Sequence, residues 1–122
     1  MVGLDPAQVV GTGGALGALL RHFVSERVKV EEFPAGTFTV NVIGSFALGL
    51  LTFAGAGNDV ALLLGTGACG SFTTFSSFSF ETVRLWETGE RGRATVNALG
   101  NLAGAAVAIG LAWLVARVVL GL

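Results

Sequence analysis

The sequence predicts an all-α membrane protein with four transmembrane helices, the third of which is broken. The 122-residue chain is 52% apolar and 12% charged, with a mean hydropathy of +0.76, whereas a soluble domain carries about 25% charged residues. Residues 34–58, 60–80 and 94–116 contain no charged side chain, and each stretch is long enough for the roughly 20 apolar residues that cross a bilayer. Residues 67–80, GACGSFTTFSSFSF, mix glycines and hydroxyls in a way that interrupts a helix.

The four spans are predicted at about residues 7–28, 35–57, 60–85 and 93–119. The first contains a shorter charge-free run that continues as a helix through Arg21 and His22. The second begins after Pro34, which suits a first helical turn. Only short loops remain between the spans, so the chain 1–122 is predicted to form a single transmembrane domain.

The net charge and the sequence motifs give no support for nucleic-acid binding or for an enzyme. The formal net charge of −1 gives no reason to expect a nucleic-acid partner. No nucleophile and base constellation or P-loop is visible, and the GTGGALG run at residues 11–17 lacks the last glycine of a dinucleotide fingerprint, so no enzyme is predicted. The basic residues concentrate in loops one and three, which the positive-inside rule assigns to the cytoplasm, with both termini outside. These residues are Arg27, Lys29, Arg84, Arg91 and Arg93.

Polar residues recur every fourth position in the second span, and Asn41 is the most demanding of them. The stripe consists of Thr37, Asn41, Ser45 and Gly49. A polar stripe in lipid must face protein or water, because an unpaired amide in hydrocarbon is costly. Asn41 is therefore either an interhelical hydrogen-bonding residue or part of a wet path.

The first and fourth spans carry matching stripes. In the first, Gly13 and Gly17 allow close helix approach and Arg21 follows one turn later. Arg21 either serves a function inside the membrane or extends to the interface. The fourth span repeats the spacing with Arg93, Asn97, Asn101 and Ala105. His22 and Cys69 have no partner at metal-ligand spacing and are read as an interfacial histidine and a buried thiol.

The interrupted third span supplies both acceptors and donors. Gly70 permits a helix break, whose freed carbonyls can ligate a cation, and hydroxyls follow at residues 71, 73, 74, 76 and 77. Phe72, Phe75 and Phe78 recur every third residue, which predicts rings along one side of the resumed helix. An aromatic edge is electropositive and can stabilise a small anion, although these rings also fit a core or lipid-facing position.

Three segments resemble the signature blocks of the Fluc/CrcB fluoride channel family. They are GGALGALLR at residues 13–21, GTFTVNVIGSFALGLL at 36–51 and GACGSFTTFSSFSFE at 67–81. Their order, their spacing and the total length also match, and the resemblance covers essentially the whole chain. The TTFSSF core with its upstream glycines is the most specific part.

The resemblance implies an antiparallel dual-topology dimer in the cell membrane, whose two narrow pores pass fluoride passively out of the cell. It also implies a structural sodium ion at the dimer axis, held by the backbone carbonyls of Gly70 and Thr73. Arg21 matches the arginine of the aqueous vestibule, and Glu81 falls on a typical position without an assigned role. The residues that match the pore are Asn41, Phe75, Phe78, Ser77, Thr37 and Asn101.

Alternatives remain open at this stage. A small proton-coupled multidrug exporter has the same length and number of spans, but it needs a membrane-embedded carboxylate, for which only Glu81 qualifies. A non-transporting assembly protein would explain the glycine stripes but not the cluster of phenylalanines and hydroxyls. The bias of Lys and Arg toward one side also leaves two pairings open, a homodimer and a heterodimer with an oppositely oriented paralogue.

Overall fold

The computed structural model describes residues 3–122, and within that range the chain consists of helices joined by turns. The helices are α1 (Pro6–Arg27), α2 (Ala35–Phe53), α3 (residues 58–72), α4 (Phe75–Glu87) and α5 (Arg91–Val118). Helix α2 ends near Phe53, four residues before the predicted end of the second span. The cause is Gly55, whose φ of +67° turns the chain out of the helix.

Helix α3 is composite. Single α-helical turns at Asn58–Val60 and Gly70–Phe72 flank the π-helical stretch Ala61–Cys69. In a π-helix each N–H donates to the carbonyl five residues earlier instead of four. The Gly70 N–H shows this spacing, because it donates to the Gly65 carbonyl. The sequence analysis did not predict this π-helical stretch.

Three helical segments in the described part of the chain are long and apolar enough to cross a membrane: Ala35–Phe53, Asn58–Glu87 and Arg91–Val118. Large apolar side chains cover the outside of these helices, including Leu64, Phe80, Leu99, Leu102 and Val107. The buried side chains are instead mostly small. A surface of this kind suits a lipid solvent, which makes the chain an all-helical, multi-pass membrane protein.

Helices α1 and α3 approach backbone to backbone. A Cβ atom added at Gly13 would overlap the Leu63 carbonyl, and one added at Gly17 would overlap the Ala68 carbonyl. Because the later glycine of α1 meets the later residue of α3, the two helices run in the same direction. The Gly13–Gly17 stripe read from the sequence is therefore the contact face of α1.

Alanine at Gly13 is expected to destabilise the fold by about 1–3 kcal/mol, because the backbone that it meets must shift. The matched control is Gly14→Ala on the same helix, where the added Cβ meets nothing within 4 Å. Thermal unfolding in detergent measures the difference. Equal melting temperatures for the two variants would contradict the close contact described here.

Helices α2 and α5 form the other extensive contact. A Cβ added at Gly49 of α2 would lie 3.1 Å from the Cβ of Ala112. Alanines recur on the facing side of α5 at Ala108, Ala112 and Ala116, all buried. Toward its N-terminus the same face of α5 carries the buried amides of Asn97 and Asn101, which point to the break between α3 and α4.

Candidate functional site

The membrane-span candidate Asn58–Glu87 is interrupted at Thr73 and Thr74, whose backbone is extended (φ −80°, ψ 158° and φ −148°, ψ 115°). Thr73 closes α3, because its N–H and its Oγ1 hydroxyl both donate to the Cys69 carbonyl, at 3.1 and 3.0 Å. Thr74 opens α4 as its N-cap and accepts the Ser77 N–H at 3.1 Å. Two adjacent threonine hydroxyls thus end one helix and begin the next.

The break lies within the predicted segment, but three residues after Gly70, the glycine that was expected to permit it. Gly70 is helical, with φ −61° and ψ −36°. A glycine only permits a break, whereas threonine hydroxyls offer the backbone competing hydrogen bonds that fix one. The Thr74 N–H would donate to the Gly70 carbonyl in a continuous helix, but it donates to Asn41 instead.

Asn41 of α2 holds both backbone groups of Thr74. Its Oδ1 accepts the Thr74 N–H at 2.8 Å, and its Nδ2 donates to the Thr74 carbonyl at 3.2 Å. The Asn41 amide thereby satisfies the N–H and the carbonyl of Thr74, which the adjacent turns would satisfy in a continuous helix. The two readings of Asn41 meet here, since it bonds across helices and also lines the cavity described below.

A chain of hydrogen bonds leads from Asn41 into α5. Asn41 Nδ2 donates to Asn101 Oδ1 at 3.1 Å, and Asn101 Nδ2 donates to Asn97 Oδ1 at 3.0 Å. Asn97 Nδ2 donates to Thr82 Oγ1 at 2.8 Å, and that hydroxyl donates to the Phe78 carbonyl at 2.7 Å. We call these four side chains, Asn41, Asn101, Asn97 and Thr82, the amide relay.

A cavity of about 350 Å³ lies beside the break, between α2, α4 and α5. It brings together four of the six residues that match the pore of the family, Asn41, Phe75, Phe78 and Asn101, and also Thr73. None of its lining residues is charged, so its polarity comes from amides, hydroxyls and aromatic rings. Its lining residues are Asn41, Gly44, Ser45, Leu48, Thr73, Thr74, Phe75, Phe78, Asn101, Leu102 and Ala105.

Two phenylalanine rings flank this cavity. The ring centroids of Phe75 and Phe78 are 5.7 Å apart and their planes are inclined by 47°. Phe75 is 80% exposed, the most exposed large apolar side chain in the described chain. Phe72 does not join them, because it belongs to α3 and packs toward Gly44 across the break. The prediction of three rings along one helix was therefore wrong for Phe72.

The remaining predicted residues lie around the cavity rather than in its wall. Thr37 donates to Glu81 Oε1 at 2.7 Å, and this pair lines a separate cavity of about 560 Å³ beneath loop one. Ser77 lies in the first turn of α4, where its N–H is capped by Thr74. Arg21 is half-buried, one turn beyond Gly17, whose added Cβ would meet Ala68 and Ser71 of α3.

A cation at this break would depend on backbone oxygens. Within residues 3–122 no three His, Cys, Asp or Glu side chains gather in a group that could hold a metal ion. The Gly70 carbonyl has lost its helical donor to Asn41, and the Thr73 carbonyl lies in the extended link between the helices. Freed carbonyls of this kind suit a hard cation with oxygen ligands.

Two members of the amide relay, Asn97 and Thr82, were not predicted as site residues. Asn97 carried a signal, because it stands one turn before Asn101 in the polar stripe of the fourth span. Thr82 carried none, since a threonine that bonds the carbonyl four residues earlier is ordinary in helices.

The first loop is also bonded to α5, because Arg93 Nη1 donates to Glu32 Oε2 at 2.7 Å.

The arrangement is built to bind rather than to react. It offers amide and hydroxyl groups, two aromatic rings and freed carbonyls, and none of the residues lining the cavity has an ionisable nucleophile or a general base. A small ion or polar solute that left water could exchange its hydration for these groups.

Comparison with known proteins assigns the chain to a family. The model for "CrcB-like protein, Camphor Resistance (CrcB)" matches residues 8–114. "Fluoride-specific ion channel FluC 2" of Haloarcula marismortui is 65% identical over 119 residues, covering 98% of this chain and 100% of the relative. "Fluoride-specific ion channel FluC 1" of Halobacterium salinarum is 55% identical over 109 residues, covering 89% and 92%. "Fluoride-specific ion channel FluC 3" of Methanosarcina acetivorans is 44% identical, covering 87% and 96%. The chain therefore belongs to the Fluc/CrcB family.

Proposed function

We propose that this protein is a fluoride-selective channel of the cell membrane that lets fluoride leave the cell passively and so lowers cytoplasmic fluoride. The observation that carries the proposal is the charge-free cavity beside the break, where Asn41, Phe75 and Phe78 meet, in a chain whose relatives are named fluoride-specific ion channels. None of these relatives is named as a proton-coupled exporter or as an assembly protein, so the comparisons support neither alternative.

The chemistry of the cavity suits fluoride. Fluoride is small and strongly hydrated, so a pore must replace its water with hydrogen-bond donors. It must also release the ion, which a fixed cationic side chain would hinder. The Asn41 amide supplies a donor without a charge, and the edges of Phe75 and Phe78 supply weak positive potential. Ser77, Thr37 and Asn101 extend the proposed path, and Arg21, near the C-terminal end of α1, belongs to the proposed vestibule.

Helix α1 is the fourth transmembrane span of this proposal. Its 22 residues extend about 33 Å, which matches the hydrocarbon core of about 30 Å. Leu16, Leu19 and Leu20 are exposed on its surface, whereas Gly13 and Gly17 face α3. Arg21 and His22 lie within two turns of its C-terminal end, near the interface.

A second, oppositely oriented subunit completes the pore in this proposal. The support is Phe75, whose ring is 80% exposed at the edge of a cavity that also contains Asn41 and Thr74. Facing lipid, that edge would leave polar groups against hydrocarbon, which is costly. The second subunit is a copy of this chain or an oppositely oriented paralogue. The one-sided placement of Lys and Arg is an argument for the paralogue, because a chain that inserts in both orientations should carry little such bias.

A sodium ion at the dimer axis fits the break. The carbonyls of Gly70 and Thr73 would hold it, since the first has given up its helical donor and the second lies in the extended link. When bound, the ion would supply positive charge that neutralises the freed carbonyl dipoles of the break. Asn41 contributes by keeping the Thr74 N–H away from the Gly70 carbonyl.

Fluoride efflux from liposomes that contain only this purified chain tests the function. Fast passive loss of fluoride is expected, with no loss from chloride-loaded liposomes. The same result would show that the chain pairs with itself. If folded protein in these liposomes passes no fluoride, the homodimeric channel is contradicted, and co-expression with a paralogue from the same cell decides between a missing partner and another function.

A further inference from the structure

The amide relay has a fixed direction, which starts at the Phe78 carbonyl. A carbonyl can only accept a hydrogen bond, so the Thr82 hydroxyl donates its single hydrogen to the Phe78 carbonyl, at 2.7 Å. Thr82 Oγ1 is then an acceptor for Asn97, whose Nδ2 lies 2.8 Å away. This orients the Asn97 amide with its Oδ1 toward Asn101.

Asn101 is oriented by two acceptors at once. Its Nδ2 lies 2.8 Å from the Asn97 backbone carbonyl and 3.0 Å from Asn97 Oδ1. Both hydrogens of the Asn101 amide are therefore committed to Asn97. Its carbonyl oxygen is left facing Asn41, from which it accepts at 3.1 Å.

Asn101 consequently presents an acceptor, and not a donor, toward Asn41 and the cavity. The Asn41 Nδ2 group is fully used as well, by Asn101 Oδ1 and the Thr74 carbonyl. An anion that binds the Asn41 amide must replace one of these two oxygens. The neutral Asn101 oxygen, on a side chain, is the easier one to displace.

We propose that Thr82 and Asn97 are positioning residues of the permeation path, which act through Asn101 to hold an oxygen against the Asn41 amide until fluoride takes its place. The inference rests on the proposed function. Asn97 is 0% exposed and does not line the cavity, so its influence on the path passes through Asn101. Without the relay, the Asn101 amide can turn and present N–H groups that hold fluoride beside Asn41.

Thr82→Val tests the inference, because valine keeps the shape of threonine and removes its hydroxyl. Fluoride efflux per folded protein is expected to fall about tenfold, because the variant loses both hydrogen bonds of the Thr82 hydroxyl and leaves the Asn97 amide without its acceptor. Thr82→Ser, which restores the hydroxyl, is expected to recover efflux to within about twofold of wild type. The matched control is Thr95→Val on α5, whose exposed hydroxyl bonds only the Arg91 carbonyl.

Two results would overturn the inference. One is efflux from Thr82→Val equal to that from Thr95→Val. The other is independent of flux: the side-chain NH₂ of Asn101 should exchange hydrogen with solvent far more slowly than that of Asn58, which is exposed, and equal exchange rates would show that the relay is open. If wild-type protein passes no fluoride, either alone or with a co-expressed paralogue, the proposed function itself fails, whereas normal wild-type efflux with an insensitive Thr82→Val refutes only the relay.

Discussion

Replacing Asn41 with aspartate is expected to reduce fluoride efflux at least about 100-fold. A carboxylate lies where the amide now donates, so the path loses a donor and gains a fixed negative charge. Two like charges about 4 Å apart repel by about 4 kcal/mol at the effective dielectric of a protein, which corresponds to more than two orders of magnitude in rate. The new oxygen would also face the oxygens of Thr74 and Asn101, at 3.2 and 3.1 Å in the native structure.

Liposome efflux measures this effect, with Asn58→Asp as the matched control. Asn58 is exposed at the start of α3, so the same chemical change there is expected to leave efflux and folding unaltered. Size-exclusion profiles in detergent separate a blocked pore from a misfolded one. Undiminished efflux from Asn41→Asp would place Asn41 outside the path of fluoride.

Phe78→Ile is expected to slow fluoride efflux by about fivefold to thirtyfold, while the protein stays folded. Isoleucine retains an apolar side chain of similar bulk but lacks the electropositive ring edge. An edge contact to a desolvated ion is worth on the order of 1–2 kcal/mol, and each 1.4 kcal/mol changes the rate about tenfold. The loss also removes the ring that lies 5.7 Å from Phe75.

Phe80→Ile provides the comparison for Phe78. Phe80 lies two residues later on α4, is 67% exposed and does not line the cavity beside Asn41. Its replacement is expected to leave efflux within about twofold of wild type, since surface changes away from a site have small effects. Equal efflux from the Phe78 and Phe80 variants would mean that ring edges play no part.

Much of the fold and the centre of the site could be predicted from the sequence. Asn41 was identifiable because a lone amide inside a charge-free stretch must find a partner in protein or water. Asn41 and Asn101 were each placed on a polar stripe of their own helix, but the hydrogen bond between them was not predicted. The clustering of hydroxyls, glycines and phenylalanines gave the interruption of the third span.

The details that depend on hydrogen-bond competition could not be predicted. Glycine content pointed to Gly70, but the position of the break is decided by which carbonyl the Thr73 hydroxyl reaches and by the hold of Asn41 on Thr74. Phe72 was misassigned because helical spacing has no meaning across a break. Thr82 was missed because its partner, Asn97, is 15 residues away and on another helix.

In the π-helical stretch Ala61–Cys69, the number of residues is more tightly constrained than the identity of each residue. A π-helical turn accommodates more residues than an α-helical turn. Deleting one residue would rotate and shift the residues before it relative to those after it. Gly67, whose added Cβ would lie 2.7 Å from the Val10 carbonyl oxygen, would no longer face α1. Substitutions in this stretch are therefore tolerable wherever the new side chain has space, whereas a single-residue deletion misaligns the first helix with the break.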